Sequence, residues 1–255
     1  MRVAITRGVS PAIGDCELTF LEREAIDVDN ARAQHSLYEG VLGGLGCRVE
    51  HLDEDPGFPD SVFVEDIAVV LDEIAVITRP GALSRRGERA SIERALASHR
   101  PVVRIKAPGI LDGGDVMAVA KSIYVGLSTR SNAEAARQLG AMVSDHGYRV
   151  VEVGFSGCLH LKSAVTAISD RTLLINPEWV DASAFPEHDC ISVDPAEPSA
   201  ANVVRIGSAV LFAAEFPRTG QLLSDLGYDA LPVEASELAK AEGALTCCSL
   251  IFEVP

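Results

Sequence analysis

A chain of 255 residues, 47% hydrophobic and 23% charged, has ordinary globular composition and enough length for a large core, and a single domain over residues 1–255 is expected. Its formal net charge of −15 and the lack of any Lys/Arg run exclude a phosphate-backbone partner, so no nucleic acid is expected. No apolar stretch approaches the roughly 20 residues that span a bilayer, which excludes a transmembrane helix, and the acidic balance suits a cationic small molecule as well as plain solubility.

Met1 runs straight into an apolar strand at 2–6 without the apolar core and cleavage site of a signal peptide, so a cytoplasmic location is expected. Cys16, Cys47, Cys158, Cys190, Cys247 and Cys248 form no C-x-x-C pair and are expected as free thiols in that compartment. Asp29 or Asn30 is placed to cap a helix whose apolar face carries Ala33, Leu37, Val41 and Leu45. A hairpin follows, with strands at 66–71 and 74–78 about a turn at Asp72-Glu73. The next has strands at 115–119 and 123–126 about Lys121, followed by a helix capped by Ser131 or Asn132 and stopped at Gly147, with Ala136, Leu139, Met142 and Val143 inward. A third hairpin pairs 163–168 with 172–175, and a fourth pairs 202–206 with 209–212. Thr219 is placed to cap a last helix through Leu222, Leu223 and Leu226, stopped at Gly227, before a final strand at 248–252 that lies beside 2–6.

The first strands of these hairpins start roughly 40 to 50 residues apart, a period that suits a radially repeated α/β architecture closed by the two termini. The competing arrangement is a three-layer α/β domain in which hairpins merely recur. In a radial array, residues just outside the strands gather at one end, and here those positions are polar. They include Asp60, Glu65 and Asp66 before the first hairpin, Arg85 after it, Asp112 before the second, Arg130 after it, His160 before the third, and Cys247 and Cys248 before the last.

Taken singly, each has an ordinary reading: a turn-forming Asp before Gly-Gly, a buried His, a solvated Arg, a buried thiol. Together, a Cys, a His and several carboxylates at one mouth form the inventory for nucleophilic catalysis, with arginines able to grip a carboxylate and acids able to grip a cation. Cys158-x-His160 and Cys247-Cys248 lack a second pair at structural zinc spacing, so no metal is expected.

The motifs FPDSVFVED at 58–66, TRPG and SRR within 78–86, LDGGDV at 111–116, RSN at 130–132, LHLK at 159–162, AAN at 200–202 and LTCCS at 245–249 span nearly the whole chain. In type and order they resemble the dimethylarginine dimethylaminohydrolase family of the guanidine-modifying, or amidinotransferase, superfamily. The resemblance implies a five-bladed α/β propeller with pseudo-fivefold repeats of strand-strand-helix units. It also implies hydrolysis of a small-molecule substrate, Nω-methylated arginine, to citrulline and an amine through a covalent cysteine adduct, with no cofactor. By the same resemblance Cys247 is the nucleophile, His160 the general acid and base, and Asp112 the acid that orients them or holds the guanidinium. Glu65 and Asp66 would hold the guanidinium, Asp60 the amino end, Arg85 and Arg130 the α-carboxylate, Leu18 a lid position, and Ala241 a main-chain contact. An arginine deiminase-type hydrolase and a non-catalytic binder of cationic amino acids stay open as alternatives, and a propeller's flat face leaves room for a homodimer.

Overall fold

The computed structural model describes residues 1–254, and among them fifteen strands form five three-stranded sheets. Blade 1 is β15 (Leu250–Glu253), β1 (Arg2–Arg7) and β2 (Arg48–Leu52). Blade 2 is β3 (Ala68–Val70), β4 (Ala75–Ile77) and β5 (Val102–Arg104), and blade 3 is β6 (Val116–Val119), β7 (Ser122–Leu127) and β8 (Arg149–Gly154). Blade 4 is β9 (Val165–Ala167), β10 (Thr172–Ile175) and β11 (Asp189–Ser192), and blade 5 is β12 (Val204–Ile206), β13 (Ala209–Ala213) and β14 (Asp229–Val233). In every blade the central strand pairs parallel with the strand after it and antiparallel with its other neighbour, which precedes it in blades 2 to 5 and is the C-terminal β15 in blade 1.

A parallel pair needs a crossover, and that is where the helices lie. Helix α1 (Val28–Gly44), α2 (Arg89–Ala97), α3 (Ala133–Val143) and α5 (Pro217–Asp225) supply it in blades 1, 2, 3 and 5, while blade 4 makes do with a 3₁₀ turn at Ala182–Ala184. Two one-turn helices, α4 (Leu161–Ala164) and α6 (Ser236–Ala239), precede blade 4 and the final strand.

Period-2 alternation closes the ring. On β1, Val3 and Ile5 pack with Ile67 and Ile77 of the blade 2 region, whereas Ala4 between them packs with Val204 and Leu211 of blade 5. On β4, Val76 meets Val116 and Ile123 of blade 3; on β7, Tyr124 meets Val165 and Leu173 of blade 4; on β10, Leu174 meets Val210 and Phe212 of blade 5. Each central strand thus feeds two different interblade cores, and the five cores return to the first blade. The result is the five-bladed α/β propeller.

Several expectations need correction. The unit is strand-strand-helix-strand: the third, parallel strand is partly exposed and carries no strong alternation, as in Arg48–Leu52, so its pattern is weak. The cap of α1 is Asp27, whose side chain accepts from the Asn30 backbone N–H, and not Asp29 or Asn30. Its buried face is Ala31, Gln34, His35, Tyr38 and Leu42, leaving Leu37 62% exposed. Gln34 can be buried because its amide bonds Ser236 Oγ at 2.8 Å and the Glu237 N–H at 3.0 Å, a partner no local pattern announces. Asn132 caps α3 as expected. Thr219 lies inside the first turn of α5, where Glu197 receives the Arg218 and Thr219 N–H groups and so does the capping.

Candidate active site

The residues expected to open the hairpins mostly form single turns instead, and these turns carry the polar side chains. Glu65 and Asp66 lie on a 3₁₀ turn at Val64–Ile67, Asp112 immediately precedes the turn Gly113–Asp115, His160 precedes α4, and Cys247 sits on Thr246–Cys248 just before β15. Because they occupy equivalent places in successive blades, they share one end of the ring.

Cys247, His160, Asp60, Asp66, Arg85, Arg130 and Ala241 line one cavity there, together with Glu17, Phe63, Leu159, Glu242 and Gly243. Its volume is about 20 Å³, room for roughly one water molecule. Asp112 lies behind His160, fully buried, with Oδ2 at 3.2 Å from Nε2 and Oδ1 accepting from the Gly81 N–H at 2.9 Å. Glu65 is also set back, paired with Lys162 and accepting from Thr246 Oγ1 at 2.7 Å on the turn that carries Cys247. Leu18 packs against the core between blades 1 and 5, outside the cavity wall.

His160 stands between two acids, Asp112 on Nε2 and Asp66 with Oδ1 at 3.7 Å from Nδ1. Burial pulls its pKa down, but Asp66, the Asp112 hydrogen bond and Asp115 outweigh this and raise it to about 9. At neutral pH it is an imidazolium, a ready proton donor. Burial pushes the Cys247 thiol up to about 12, with Glu65 and Asp66 adding to the effect, so the resting nucleophile is protonated. Asp66 is held below the usual range: burial raises it, but His160 and Arg85 overcome that.

Asp66, Asp112 and His160 present ligand atoms within 4.8 Å of one another, a set that could hold a cation. Arg85 against Asp66 and Arg130, 3.8 Å from Asp112, already bring positive charge to both acids. Arg85 is fully committed: to Glu88 and Asp66, and to the carbonyls of Asp60 and Phe63 at 3.1 and 3.0 Å. Arg130 keeps open donors, with a bond to Thr19 Oγ1 at 3.2 Å.

The raised His160 pKa has a consequence for stability. A histidine at 6.5 in the unfolded chain and about 9 in the folded one contributes stabilisation that is complete below pH 6.5 and is lost as pH rises through 9. The shift corresponds to a few kcal/mol, on the order of 3, at 1.36 kcal/mol per unit. Urea unfolding from pH 6.5 to 8, below the range in which the raised buried thiols add their own loss, is expected to show stability falling; a flat profile would remove His160 from the buried acid cluster.

Two features escaped the sequence reading. Gly113 and Gly114 allow the backbone to pass against the site: a β-carbon on Gly114 would lie 2.5 Å from His160 Nδ1 and 2.8 Å from Asp66 Oδ1. Gly114→Ala is therefore expected to displace the imidazole and lower turnover about 100-fold in a folded protein, read by steady-state kinetics beside circular dichroism. Asp115, fully buried, accepts from the Leu161 N–H at 3.0 Å and from Ser128 Oγ at 2.7 Å, which pins the backbone next to His160. The run Asp112-Gly113-Gly114-Asp115 was the available signal: two acids around a glycine pair mark close backbone approach as well as a turn.

A family model described as N,N dimethylarginine dimethylhydrolase, eukaryotic, matches residues 18–193. An N(G),N(G)-dimethylarginine dimethylaminohydrolase of Streptomyces coelicolor is 42% identical over 250 residues, covering 97% of this chain and 95% of the relative. A solved structure of the Pseudomonas aeruginosa enzyme, a cysteine-to-serine mutant complexed with citrulline, superposes with a TM-score of 0.94 at 36% identity, covering 98% of each chain. A dimethylarginine dimethylaminohydrolase with a histidine-to-glycine change, solved as an adduct with S-methyl-L-thiocitrulline, is similar at TM-score 0.94 and 36% identity over 99% of this chain and all of that one.

Proposed function

We infer the reaction from kinship and geometry together: the chain belongs to the dimethylarginine dimethylaminohydrolase family. It hydrolyses Nω-methylated arginine to citrulline and dimethylamine or methylamine through a covalent cysteine adduct. The observation that carries the reading is a single cavity walled by the Cys247 thiol, the His160 imidazole, four carboxylates and, in Arg130, an arginine with open donors.

Asp66 and Glu65, with Asp112 behind His160, draw in the guanidinium, whose charge is the counter-ion a thiolate needs. With the cation bound beside Cys247, the thiol pKa falls from about 12 toward neutrality. Asp60 meets the α-ammonium and Arg130 the α-carboxylate, while Arg85 holds the Asp66 wall in position. Ala241, on the cavity wall, offers its main chain to the amino acid end, and Leu18 is the lid position.

The Cys247 sulfur adds to the guanidinium carbon, forming a C–S bond. The bond from that carbon to the methylated nitrogen then breaks as His160 delivers its proton to the departing nitrogen, which leaves as neutral amine. The product is an S-alkylthiouronium cation on Cys247. Neutral His160 takes a proton from water as the oxygen attacks the same carbon, the C–S bond breaks, and citrulline departs from a regenerated thiolate. The thiol proton passes to solvent as the guanidinium binds, and the hydroxyl proton of the collapsing adduct passes to the thiolate and restores the thiol, so water in, with amine, citrulline and one proton out, balances the cycle. Asp112, hydrogen-bonded to Nε2, keeps the imidazole aimed, while the Asp66 charge 3.7 Å from Nδ1 supports its protonated form without a hydrogen bond.

No helix among the described residues is long and apolar enough to cross a membrane. The cysteines are all free, which suits the cytoplasm as the working compartment.

The test is release of citrulline and amine from asymmetric dimethylarginine by purified protein, with monomethylarginine and plain arginine alongside. Citrulline from the methylated substrates at the higher kcat/KM supports the reading. Faster turnover of plain arginine reassigns the chain to a deiminase, and binding without turnover makes it a binder of cationic amino acids.

A further inference from the structure

A cavity of about 20 Å³ cannot admit an arginine-sized substrate, so the wall must open, and the wall that can move is the stretch between the 3₁₀ turn Ile13–Asp15 and α1. It has no helix or strand of its own. Its end at α1 is tied by the Asp27 N–H to Glu237 Oε2 at 2.9 Å and by Lys240 Nζ to the Ala25 carbonyl at 3.3 Å, and Arg23 folds back onto the Gly14 carbonyl; over residues 17–21 its bonds to the rest of the protein are few and specific. Asp60 accepts from the Glu17 N–H at 3.2 Å, Ser84 Oγ donates to Glu17 Oε1, and Arg130 reaches Thr19 Oγ1. One further residue makes a triple contact: Glu242 Oε1 accepts from three consecutive backbone N–H groups, Thr19 at 2.9 Å, Phe20 at 2.5 Å and Leu21 at 2.6 Å.

We propose that Glu242 is the latch of this lid, a positioning residue that sets the balance between open and closed enzyme without entering the chemistry. The proposal rests on the reading of the cavity as the substrate site. Three converging N–H dipoles form a small anion nest, and a carboxylate fills it far better than a neutral group does. The residue is also held in an unusual backbone state. Glu242 has φ +57°, the left-handed region that a side chain with a β-carbon adopts only when its surroundings over-determine it, and its neighbours are locked by Glu242 N–H to the Ala239 carbonyl and Gly243 N–H to the Leu238 carbonyl. Those constraints aim the side chain at the lid.

Function separates this bond from the Asp60 and Arg130 contacts. Asp60 and Arg130 are the groups assigned to the substrate's amino and carboxylate ends, so an arriving ligand takes over those contacts as the lid moves. Glu242 has no such second partner in the proposed cycle, and its three bonds break on opening and re-form on closing. Closing also brings Leu18, just before the latched segment, toward Ala241, just before the latch.

The protein carries its own reporter. Trp179 is the chain's only tryptophan, and it lines a mainly apolar cavity of about 590 Å³ whose other walls include Phe20, Leu21 and Glu242. In substrate-free protein, Glu242→Ala is expected to speed amide hydrogen exchange at Thr19, Phe20 and Leu21 at least tenfold relative to wild type and to shift Trp179 emission to longer wavelength. Exchange in the central strands is expected to stay unchanged. With asymmetric dimethylarginine, KM is expected to rise about tenfold and kcat to change less than threefold. Glu242→Gln keeps an acceptor oxygen without the charge and is expected to fall between the two, which also covers the case of an alanine variant that does not fold. Unchanged exchange at the three lid amides overturns the latch, as does faster exchange spread evenly over the sheets, the mark of a merely structural residue. Because exchange is read without substrate, a wild type that makes no citrulline refutes the proposed reaction while selective lid exchange still supports the latch.

Discussion

Cys247→Ser is expected to leave the fold intact and to lower citrulline formation from asymmetric dimethylarginine by on the order of 10⁴-fold or more, as loss of a covalent nucleophile does elsewhere. The physical case is one of acidity in a fixed position. The thiol, raised to about 12 by burial and then by Glu65 and Asp66, can be brought into range by the positive charge of a bound guanidinium. A serine hydroxyl starts several units higher, and the same cation cannot bring it to a useful alkoxide fraction. The change is nearly isosteric, and the backbone N–H at 247 keeps its bond to the Ala244 carbonyl at 3.1 Å, so the turn survives. Thermal unfolding and far-ultraviolet circular dichroism provide the structural control, and loss of the covalent adduct in mass spectra locates the defect. Cys248→Ser is the informative companion. Cys248 packs into the core between blades 1 and 5 with its thiol toward the Ala244 carbonyl at 3.4 Å, away from the cavity lining, so activity within about tenfold of wild type is expected. Undiminished turnover in Cys247→Ser would sink the assignment.

The second large effect is at His160. His160→Gln is expected to lower kcat by about 10³-fold, within the range for removal of a general acid–base group, because both half-reactions route a proton through the same ring. Dimethylamine is a very poor leaving group as an anion, so without the imidazolium the carbon–nitrogen bond does not break at a useful rate. The same variant answers a thermodynamic question. Asp66, Asp112 and Asp115 all raise the His160 pKa, and a neutral amide in its place removes the titration between 6.5 and 9. Wild-type stability falls from pH 6.5 to 8; in the variant, stability is lower at pH 6.5 and level to pH 8, and the fall above pH 8 that the raised buried thiols bring is common to both. The buried His35 does not blur the comparison, since burial lowers its pKa and its titration lies on the acid side. A variant with normal kcat, or one whose stability still declines from pH 6.5 to 8, would refute the assignment of both effects to His160.

Much of the architecture was legible without coordinates. Four recurring apolar hairpins at a near-constant period are a local signal, since alternation and turn chemistry are read within a dozen residues, and the structure has an antiparallel pair at each of those places. The ring closure by strands 2–6 and 248–252 followed from counting, and β1 does pair antiparallel with β15. Less legible were the edges. The third strand of each blade draws its order from a ladder to a distant partner, and the buried face of α1 uses Gln34 and His35, whose polarity is tolerated only through contacts formed after folding.

The polar positions at the hairpin mouths were likewise visible as a set, and folding gathers Asp60, Asp66, Arg85, Arg130, His160, Ala241 and Cys247 around one cavity. Their individual surroundings were not visible. Whether Arg85 is free or spent on Glu88 and Asp66, whether Gly114 has space beside it, and which residue clasps Thr19 to Leu21 are all questions of distance between remote segments. The bond from Thr246 to Glu65 spans 181 positions, and that from Leu21 to Glu242 spans 221. Residue type and order by themselves determined the repeat, the ring and the chemical inventory at its mouth, because each depends on local periodicity and side-chain chemistry. Tertiary structure alone decided the charge state of His160 and Cys247, the commitments of the arginines and the lid's latch, because burial and proximity are properties of the closed ring and not of any stretch of chain within it.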